Sequence, residues 1–334
     1  MQRMARRIGW DAHCHLQEEP QWRLFITSIL SQNPNMQWMV MGTQPSDWPL
    51  VDAMATAFPS HIVPGFGLHP WHAHLHPMLS PTPSSSSSSH PSSSSSSSSS
   101  SADSLTTDGN APQTWIHVLQ TYLRRHPRAV VGEFGIDKSA TVRQPTPEVP
   151  SGTNTFDPWQ QHHFHSQFTL AVSMRRPIVL HAVQAQGFLV EFFRQHVIGR
   201  IPTGATWRGL RKEERLACVN DVCPPAILLH SYTGNLETVR RLVDMKQIGG
   251  RFYFSFSWAV HQRMDRQRVM DVMKHVPDDR LLMESDLGET DIEAYEDAMM
   301  RIATLIGEAK GWSLEDVYDR TQRNFGSFVE SLHE

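Results

Sequence analysis

Short apolar runs recur along the chain, and each is followed by a stretch in which apolar residues repeat at helical spacing. The runs are rich in branched and aromatic side chains, which is typical of parallel strands buried on both faces. Eight strands are predicted on this basis: Ile8–Ala12, Trp38–Gly42, Ile62–Gly67, Ala129–Phe134, Pro177–Leu180, Ala226–Leu229, Phe252–Phe256 and Leu281–Met283.

The stretches between the runs repeat apolar residues every three or four positions, as amphipathic helices do. Gly311 ends the last of these stretches, and Ser313 with Asp316 forms a capping-box pattern for one further turn of helix. Alternating strands and helices predict βα units, and the expected fold is an α/β, distorted (β/α)8 TIM barrel. Five helices are predicted: Trp115–Arg125, Trp159–Arg175, Leu236–Met245, Arg266–His275 and Ile292–Lys310.

Three insertions interrupt the alternation of strands and helices. Ser80–Pro112 contains two long serine runs and has too little apolar surface to offset its ordering entropy, so a disordered loop is expected. Lys138–Thr155 is rich in proline, threonine and glycine and is predicted to be a loop. Gly199–Pro225 is predicted to be a third loop insertion, and its basic run Arg208–Arg215 is interleaved with glutamates, which favours a solvated face. None requires a separate domain, so one barrel domain is expected over residues 1–334.

Composition narrows the functional classes. The net charge of −4 argues against non-specific binding to long double-stranded nucleic acids, because such binding needs a strongly basic domain. The three cysteines form no disulfide framework, and Cys218 and Cys223 are too far apart for a Cys-x-x-Cys zinc motif. No apolar run approaches the roughly 20 residues of a membrane span, so no membrane association is expected. The first strand begins almost at once, which leaves little room for a targeting peptide and favours the cytoplasm or the nucleus.

Six metal-binding side chains lie at or just past the ends of predicted strands. A parallel barrel brings such positions to one face, where imidazoles and carboxylates can bind divalent ions. A lone histidine after an apolar strand is more often a core residue, but six ligand types in equivalent positions favour a metal site and a hydrolase. They are His13, His15, Glu133, His181, His230 and Asp286.

The spacing of these residues suggests roles. His13 and His15 are two apart on a strand, so both rings can reach one ion. The carboxylate of Glu133 can bridge two ions, which a neutral imidazole cannot do, and Gly132 and Gly135 allow a close turn there. Asp286 can bind a metal and accept a proton from water.

Other residues admit two interpretations each. His69 can contact a phosphate oxygen or orient a leaving group, or it can be an ordinary loop histidine. Trp71 can stack on a base of a substrate or cap the barrel rim. Glu284 can orient a metal ligand by hydrogen bonding, or be buried and paired. The histidine-rich stretch His162–His165 falls on a predicted helix, where a solvated surface is favoured over a metal cluster.

These motifs resemble the TatD-like metal-dependent deoxyribonucleases, which belong to the amidohydrolase-type barrel superfamily. The resemblance extends from Asp11 to about Phe325, apart from the insertions. The matching segments are Asp11-Ala-His-Cys-His-Leu16, Gly67-Leu-His-Pro-Trp71, Gly132-Glu-Phe-Gly-Ile-Asp137, Arg176-Pro-Ile-Val-Leu-His181, His230-Ser-Tyr-Thr-Gly234, Arg280-Leu-Leu-Met-Glu-Ser-Asp286 and Asn324-Phe325.

The resemblance implies a barrel with two divalent ions, magnesium, manganese or zinc, that hydrolyses phosphodiester bonds in DNA. In the mechanism that we predict for such a site, Asp286 accepts the proton, His69 contacts phosphate and Trp71 contacts the substrate. The implied ligands are His13, His15 and Asp286 for one ion, His181 and His230 for the other, and Glu133 between them.

Two segments depart from the family pattern and leave the substrate open. Leu287–Thr290 replaces an Ala-Pro-Tyr sequence, and Trp258 stands where a glycine is common, both at positions expected to border the substrate. An ester or amide hydrolase, for example on aminoacylated RNA, is therefore an alternative. A fungal branch of the family that interacts with a mitotic cell-cycle protein shares the Glu-Ser-Asp-Leu sequence, so a protein-interaction role in cell-cycle regulation is a further alternative.

Overall fold

Eight parallel strands form one sheet that curls into a nearly closed barrel. The computed structural model describes residues 9–76, 114–142, 149, 151–154, 159–288 and 290–331. Each strand pairs with the next in chain order, from β1 to β8, so the prediction of a (β/α)8 TIM barrel is confirmed. The strands are β1 (Trp10–Cys14), β2 (Gln37–Gly42), β3 (Ile62–Phe66), β4 (Val130–Asp137), β5 (Ile178–Val183), β6 (Ile227–Leu229), β7 (Phe252–Ser257) and β8 (Leu281–Glu284).

Helices connect successive strands and surround the barrel. All five predicted helices are present, and the segment after Gly311, predicted as one turn, is a helix of 17 residues that begins with the Ser313 and Asp316 capping box. In the described part of the chain the α-helices are α1 (Trp22–Gln32), α2 (Trp48–Ala57), α3 (Trp115–Arg125), α4 (Gln161–Ser173), α5 (Gln186–Phe192), α6 (Gly204–Gly209), α7 (Lys212–Asn220), α8 (Leu236–Val243), α9 (Trp258–His261), α10 (Arg266–His275), α11 (Ile292–Lys310) and α12 (Leu314–Glu330).

The apolar core fills the barrel and the layer between strands and helices. Large side chains from neighbouring strands are completely buried, among them Trp38, Phe66, Phe134 and Phe254. Burial of each such side chain stabilises the fold by about 1.5–3 kcal/mol. Trp48 of α2 is also buried, and its indole N–H donates to the carbonyl oxygen of Gly67 at 3.0 Å. This bond fixes α2 to the segment that follows β3.

Strands β4 and β5 are longer than the sequence predicts. The expected close turn after Glu133 is wrong, because β4 continues to Asp137 and pairs with β5 as far as Val183. Gly135 allows this continuation: it lies opposite His181, and a Cβ atom there would collide with the His181 carbonyl group. The glycine is therefore required for close strand approach rather than for a turn.

The insertions differ from one another. Ser80–Pro112, expected to be a disordered loop, lies outside the described residues. In the second insertion the described residues include an antiparallel bridge between Thr141 and Asn154. The prediction that Gly199–Pro225 is a loop is wrong, since it contains α6 and α7. Helix α7 begins with a side-chain cap, in which the Glu214 carboxylate accepts the backbone N–H of Arg211 at 2.8 Å. The single-domain organisation over residues 1–334 stays a prediction.

Replacing Gly135 with alanine is expected to destabilise the protein by about 1–3 kcal/mol, because the new methyl group must displace β5 at His181. Gly187→Ala is the matched control, since no atom lies within 4 Å of a Cβ built on this residue of α5. Alanine there is expected to be neutral or to stabilise by up to about 1 kcal/mol. Urea unfolding followed by circular dichroism measures both changes. Equal midpoints for the two variants would contradict this account of the strand pair.

Candidate metal centre

Closure of the barrel brings the end of β8 against the end of β1. The backbone N–H of Asp286 donates to the carbonyl oxygen of His13 at 3.0 Å, and the N–H of His15 donates to the carbonyl oxygen of Leu287 at 2.9 Å. The residues that make these bonds include three of the predicted ligands. Side chains that are more than 270 positions apart in the sequence therefore meet at one point.

The buried carboxylate of Asp11 holds the ends of β1 and β8 together. One oxygen of Asp11 accepts the N–H of Ser285 at 2.9 Å and the N–H of His13 at 3.2 Å. Burial raises the pKa of Asp11 to about 7, although the hydrogen bonds from Ser285 and His13 act in the opposite direction. Asp11 thus connects the two strands through their backbones and presents no side-chain atom to solvent.

The first group of predicted ligands consists of His13, His15 and Asp286, with Glu133 beside them. The Nε2 atoms of His13 and His15 are 3.2 Å apart. They lie 3.7 and 3.6 Å from Oδ1 of Asp286, and 3.7 and 3.4 Å from the carboxylate of Glu133. Two imidazole nitrogens and two carboxylates therefore face a common centre, as a divalent ion requires.

The second group consists of His181 and His230. Nδ1 of His181 and Nε2 of His230 are 3.2 Å apart, and they lie 3.7 and 2.7 Å from Oε2 of Glu133. The ring of His230 also stacks on that of His13, with centroids 3.9 Å apart. The structure thus brings all six predicted residues together, with Glu133 between the two groups.

Local irregularities of the backbone aim these side chains. The pairing register shifts between Asp11 and Cys14 in β1, and between Val131 and Phe134 in β4. Such shifts re-aim side chains next to active sites, and here they flank His13 and Glu133. Asp286 adopts a left-handed backbone with φ 55°, a conformation that aspartate tolerates better than most residues.

The donor set fits a divalent metal. Oε2 of Glu133 is buried, and imidazole nitrogens of His230, His13 and His181 lie 2.7, 3.7 and 3.7 Å from it. A buried anionic oxygen needs a positive partner, and a cation in the centre would supply one. Burial alone would raise the pKa of Glu133, but the charge of His230 and hydrogen bonding to His181 hold this pKa well below its usual range. The carboxylate is therefore ionised and available to a cation.

Glu284 supports the second group from behind. It is completely buried, and its Oε1 accepts the N–H and the hydroxyl of Ser231 at 2.8 Å each. The same oxygen lies 3.6 Å from Nδ1 of His230. Both interpretations of Glu284 therefore apply, because it is buried and paired, and it also faces the outer nitrogen of a candidate ligand. Ser231 links it further to Oδ2 of Asp286 at 2.8 Å.

Asp137 lies beside the outer nitrogen of His181, as Glu284 lies beside that of His230. The sequence motif contains it, but no role is predicted for it. It lies 3.5 Å from Nε2 of His181 and accepts the indole N–H of Trp71 at 2.8 Å and the hydroxyl of Ser139 at 2.6 Å. The signal that could have found it is strand periodicity. Positions 133 and 137 fall on the same side of one continuous strand.

His69 is buried beside Glu133. Its Nδ1 accepts the backbone N–H of Trp71 at 3.2 Å, so hydrogen bonding assigns the ring proton to Nε2, which lies 3.9 Å from Oε1 of Glu133. Burial lowers the pKa of His69 well below its ordinary value, which keeps the ring neutral. His69 is therefore a buried, neutral ring at the edge of the centre, and its contact with a substrate stays a prediction.

The centre opens to solvent through a cavity of about 590 Å³. Five of the six predicted ligands line it, whereas His13 is completely buried behind them. Gly288, from the segment that departs from the family pattern, also lines the cavity. Trp258 does not border it as expected: its ring packs against the core and beneath the guanidinium of Arg301, 5.6 Å away.

The predicted solvated surface at His162–His165 is wrong for His163. This residue is buried, and its Nε2 lies 3.0 Å from the carbonyl oxygen of Ala73. The reason is that α4 packs against the turn Pro70–Leu75, which follows β3. His163 is therefore a packed core histidine that helps to fix the segment carrying His69.

Catalysis at the carboxyl ends of the strands is general for this barrel. Imidazoles and carboxylates that face one point at this end define the class of protein as a metal-dependent hydrolase. The model of the TatD related DNase family matches residues 10–330, and the chain belongs to that family. The resemblance seen in the sequence motifs is thereby confirmed.

Sequence relatives include two named proteins. The chain is 28% identical over 354 residues to the Cut9-interacting protein scn1 of Schizosaccharomyces pombe, and the alignment covers 96% of this chain and 98% of that protein. It is 25% identical over 168 residues to the 3'-5' RNA nuclease TATDN2 of Homo sapiens. The second alignment covers 48% of this chain and only 16% of the human protein.

Solved structures show the same fold. The TatD homologue YJJV of Escherichia coli K12 superposes with a TM-score of 0.60 at 18% identity and covers 98% of both chains. A hydrolase of the TatD family from Entamoeba histolytica gives a TM-score of 0.59 at 10% identity, covering 94% of this chain and 95% of that one. Within the described residues, no helix is both long and apolar enough to span a bilayer.

Metal affinity is expected to rise with pH. Burial would lower the pKa of His15, but hydrogen bonding to Asp286 and the charge of Glu133 outweigh it and raise this pKa to about 9. In the metal-free protein the ring thus keeps a proton below about pH 9, and an ion must displace it. Because the pKa values of His181 and His230 are also raised, the dissociation constant for Mn²⁺ should fall by at least about tenfold per pH unit from pH 7 to 9.

Calorimetric titration in buffers of different ionisation enthalpy counts the protons released. His15→Ala should lose part of the release, and His275→Ala, on the exposed surface of α10, should retain it. An affinity independent of pH in this range would contradict the assignment of His15.

Asp137→Asn is expected to weaken metal binding by about 10- to 100-fold, because the outer nitrogen of His181 loses its carboxylate partner. Asp52→Asn is the control, since Asp52 pairs with Arg125 and His126 and does not line the cavity. Equilibrium dialysis against Mn²⁺ with metal analysis measures both. Equal affinities for wild type and Asp137→Asn would show that Asp137 does not support the centre.

Proposed function

We propose that the protein is a two-metal phosphodiesterase that hydrolyses DNA. His13, His15 and Asp286 would hold one divalent ion, His181 and His230 the other, and Glu133 would bridge them. The observation that carries the proposal is the position of Glu133: its Oε1 lies 3.4 Å from His15, and its Oε2 lies 2.7 Å from His230. Oε2 also lies 3.7 Å from Nε2 of His13, so the carboxylate as a whole faces both groups of histidines.

The donor set is compatible with magnesium, manganese or zinc. Imidazoles suit zinc and manganese, and carboxylates suit magnesium and manganese. When bound, such ions lower the pKa of water and offset the negative charge of a phosphate. The other contributions to hydrolysis come from residues of the chain itself.

Asp286 is the proposed proton acceptor. Burial would raise its pKa, but hydrogen bonding to His15 and the charge of His230 outweigh burial and hold the pKa below its usual range. The carboxylate is therefore ionised and can take a proton from the attacking water. Ser231 fixes its orientation, with the hydroxyl 2.8 Å from Oδ2.

His69 and Trp71 are proposed to contact the substrate. The Nε2–H of His69 can donate to a phosphate oxygen, which stabilises the charge that develops there. The Trp71 side chain is 41% exposed, and its indole N–H is held by Asp137. The exposed part of the ring can stack on a base.

Glu133→Ala is expected to lower metal-dependent cleavage of single-stranded DNA by about 100- to 1000-fold, the scale of losing one group that stabilises transition-state charge. The matched control is Glu191→Ala, an exposed glutamate outside the cavity that pairs with Arg194. Release of nucleotides from end-labelled DNA is followed with magnesium, manganese or zinc and with a chelator. Equal activity in wild type and Glu133→Ala would refute the mechanism.

A panel of substrates separates the remaining alternatives. RNA belongs in it because the human relative is named as an RNA nuclease. An ester and an aminoacylated RNA belong in it because the changed segment Leu287–Thr290 contributes Gly288 to the cavity. Cleavage of DNA far faster than any ester would remove the ester or amide hydrolase, and the reverse order would remove the phosphodiesterase.

We also propose a protein partner, because scn1 is similar over almost its full length and is named for binding Cut9. The inserted helices α6 and α7 are the proposed docking surface, and Leu216 of α7 is 52% exposed. Such a role places the protein in the cytoplasm or the nucleus. If deletion of residues 199–225 left binding of every partner intact, this surface would lose its support.

A further inference from the structure

The described residues that line the active-site cavity include one arginine and no lysine, and the arginine is Arg263. It is exposed, and it makes no ion pair or side-chain hydrogen bond with another described residue. Some arginines elsewhere on the barrel donate to carbonyl groups, for example Arg251 and Arg280. The Arg263 guanidinium is therefore available to a ligand that enters the cavity.

The backbone around Arg263 is fixed to the barrel. The preceding helix α9 is anchored by the buried His261, whose Nδ1 and Nε2 lie 2.8 and 3.0 Å from the carbonyl oxygens of Ser257 and Tyr232. The backbone N–H of Arg263 then donates to the carbonyl oxygen of Val260 at 3.4 Å. The Arg263 side chain therefore extends from a turn at the cavity rim whose backbone is fixed by hydrogen bonds.

The turn follows Trp258, whose ring packs beneath the guanidinium of Arg301 and does not line the cavity. The residues that come after it, Ala259, Val260 and Arg263, line the cavity instead. Arg263 therefore lies where a ligand in the cavity can reach it.

The net charge of the metal-loaded cavity depends on Arg263. Four carboxylates line it, and two divalent ions would neutralise their four negative charges. The positive charge that remains is that of Arg263. Without it, a loaded cavity would carry no net charge, and the attraction of an anion would depend on the ions alone. The lining carboxylates are Glu18, Glu133, Asp137 and Asp286.

We propose that Arg263 is a substrate-binding residue that contacts a backbone phosphate of a nucleic acid, and that it sets the preference of the cavity for polyanionic phosphodiesters over neutral esters. The proposal rests on the two-metal phosphodiesterase function. A guanidinium forms charge-assisted, bidentate hydrogen bonds to phosphate, which a neutral ester cannot offer.

Kinetics of Arg263→Ala test this role. The KM for single-stranded DNA should rise about tenfold, the scale of one charged hydrogen bond, with kcat within twofold of wild type. Turnover of p-nitrophenyl acetate and affinity for Mn²⁺ should not change. Arg263→Lys should recover part of the KM, and the control Arg268→Ala, on the exposed surface of α10, should behave as wild type. An unchanged KM for DNA would overturn the proposal.

Binding of a short phosphorothioate oligonucleotide tests the same contact without turnover. Its affinity for the Mn²⁺-loaded Arg263→Ala protein should fall about tenfold. The slope of log affinity against log salt concentration should decrease by about 0.7, the value for one phosphate contact on a single strand. An unchanged slope and affinity would refute the contact. If wild type cleaved no phosphodiester, the proposed function would fail, whereas this binding experiment would still decide whether Arg263 holds a phosphate.

Discussion

The junction of β1 and β8 is the constraint on which the site depends. Two backbone hydrogen bonds, made by residues that carry candidate ligands, join the first strand to the last. A strand shifted by one residue turns all its side chains to the opposite face. Such a shift in β1 would move the rings of His13 and His15 away from the centre. Barrel closure and assembly of the site are therefore one event, and Asp11 supports both through the backbones that it connects.

Much of the fold could be predicted because its signals are local. Apolar runs identify all eight strands, and a capping box identifies the start of α12. The lengths of β4 and β5 could not be predicted, because they depend on how closely Gly135 lets two strands approach. The helices of the third insertion were hidden by a charged sequence of low apolar content, in which the cap formed by Arg211 and Glu214 supplies the local order.

The candidate site, like the fold, could be predicted only in part from the sequence. Its central residues lie at or just past the ends of apolar runs in the sequence, so position along the chain was enough to select them. The groups around them depend on contacts between elements, such as Asp137 with Trp71 or Ser231 with Glu284. The identity of one residue at such a position does not reveal which other elements it contacts, so its role could not be predicted from the sequence. Arg263 is of this kind, because its place at the cavity rim follows from the anchoring of α9 by His261.

The shared position of Glu133 has a thermodynamic consequence. If two ions bind as proposed, one carboxylate serves both groups of histidines, and the two sites would not load independently. An ion in the first site would fix the carboxylate and displace protons, whereas its charge would repel a second cation. Linkage makes this coupling reciprocal, so each ion would change the affinity for the other by the same factor. The metal concentration at which the enzyme becomes active would then depend on both sites together.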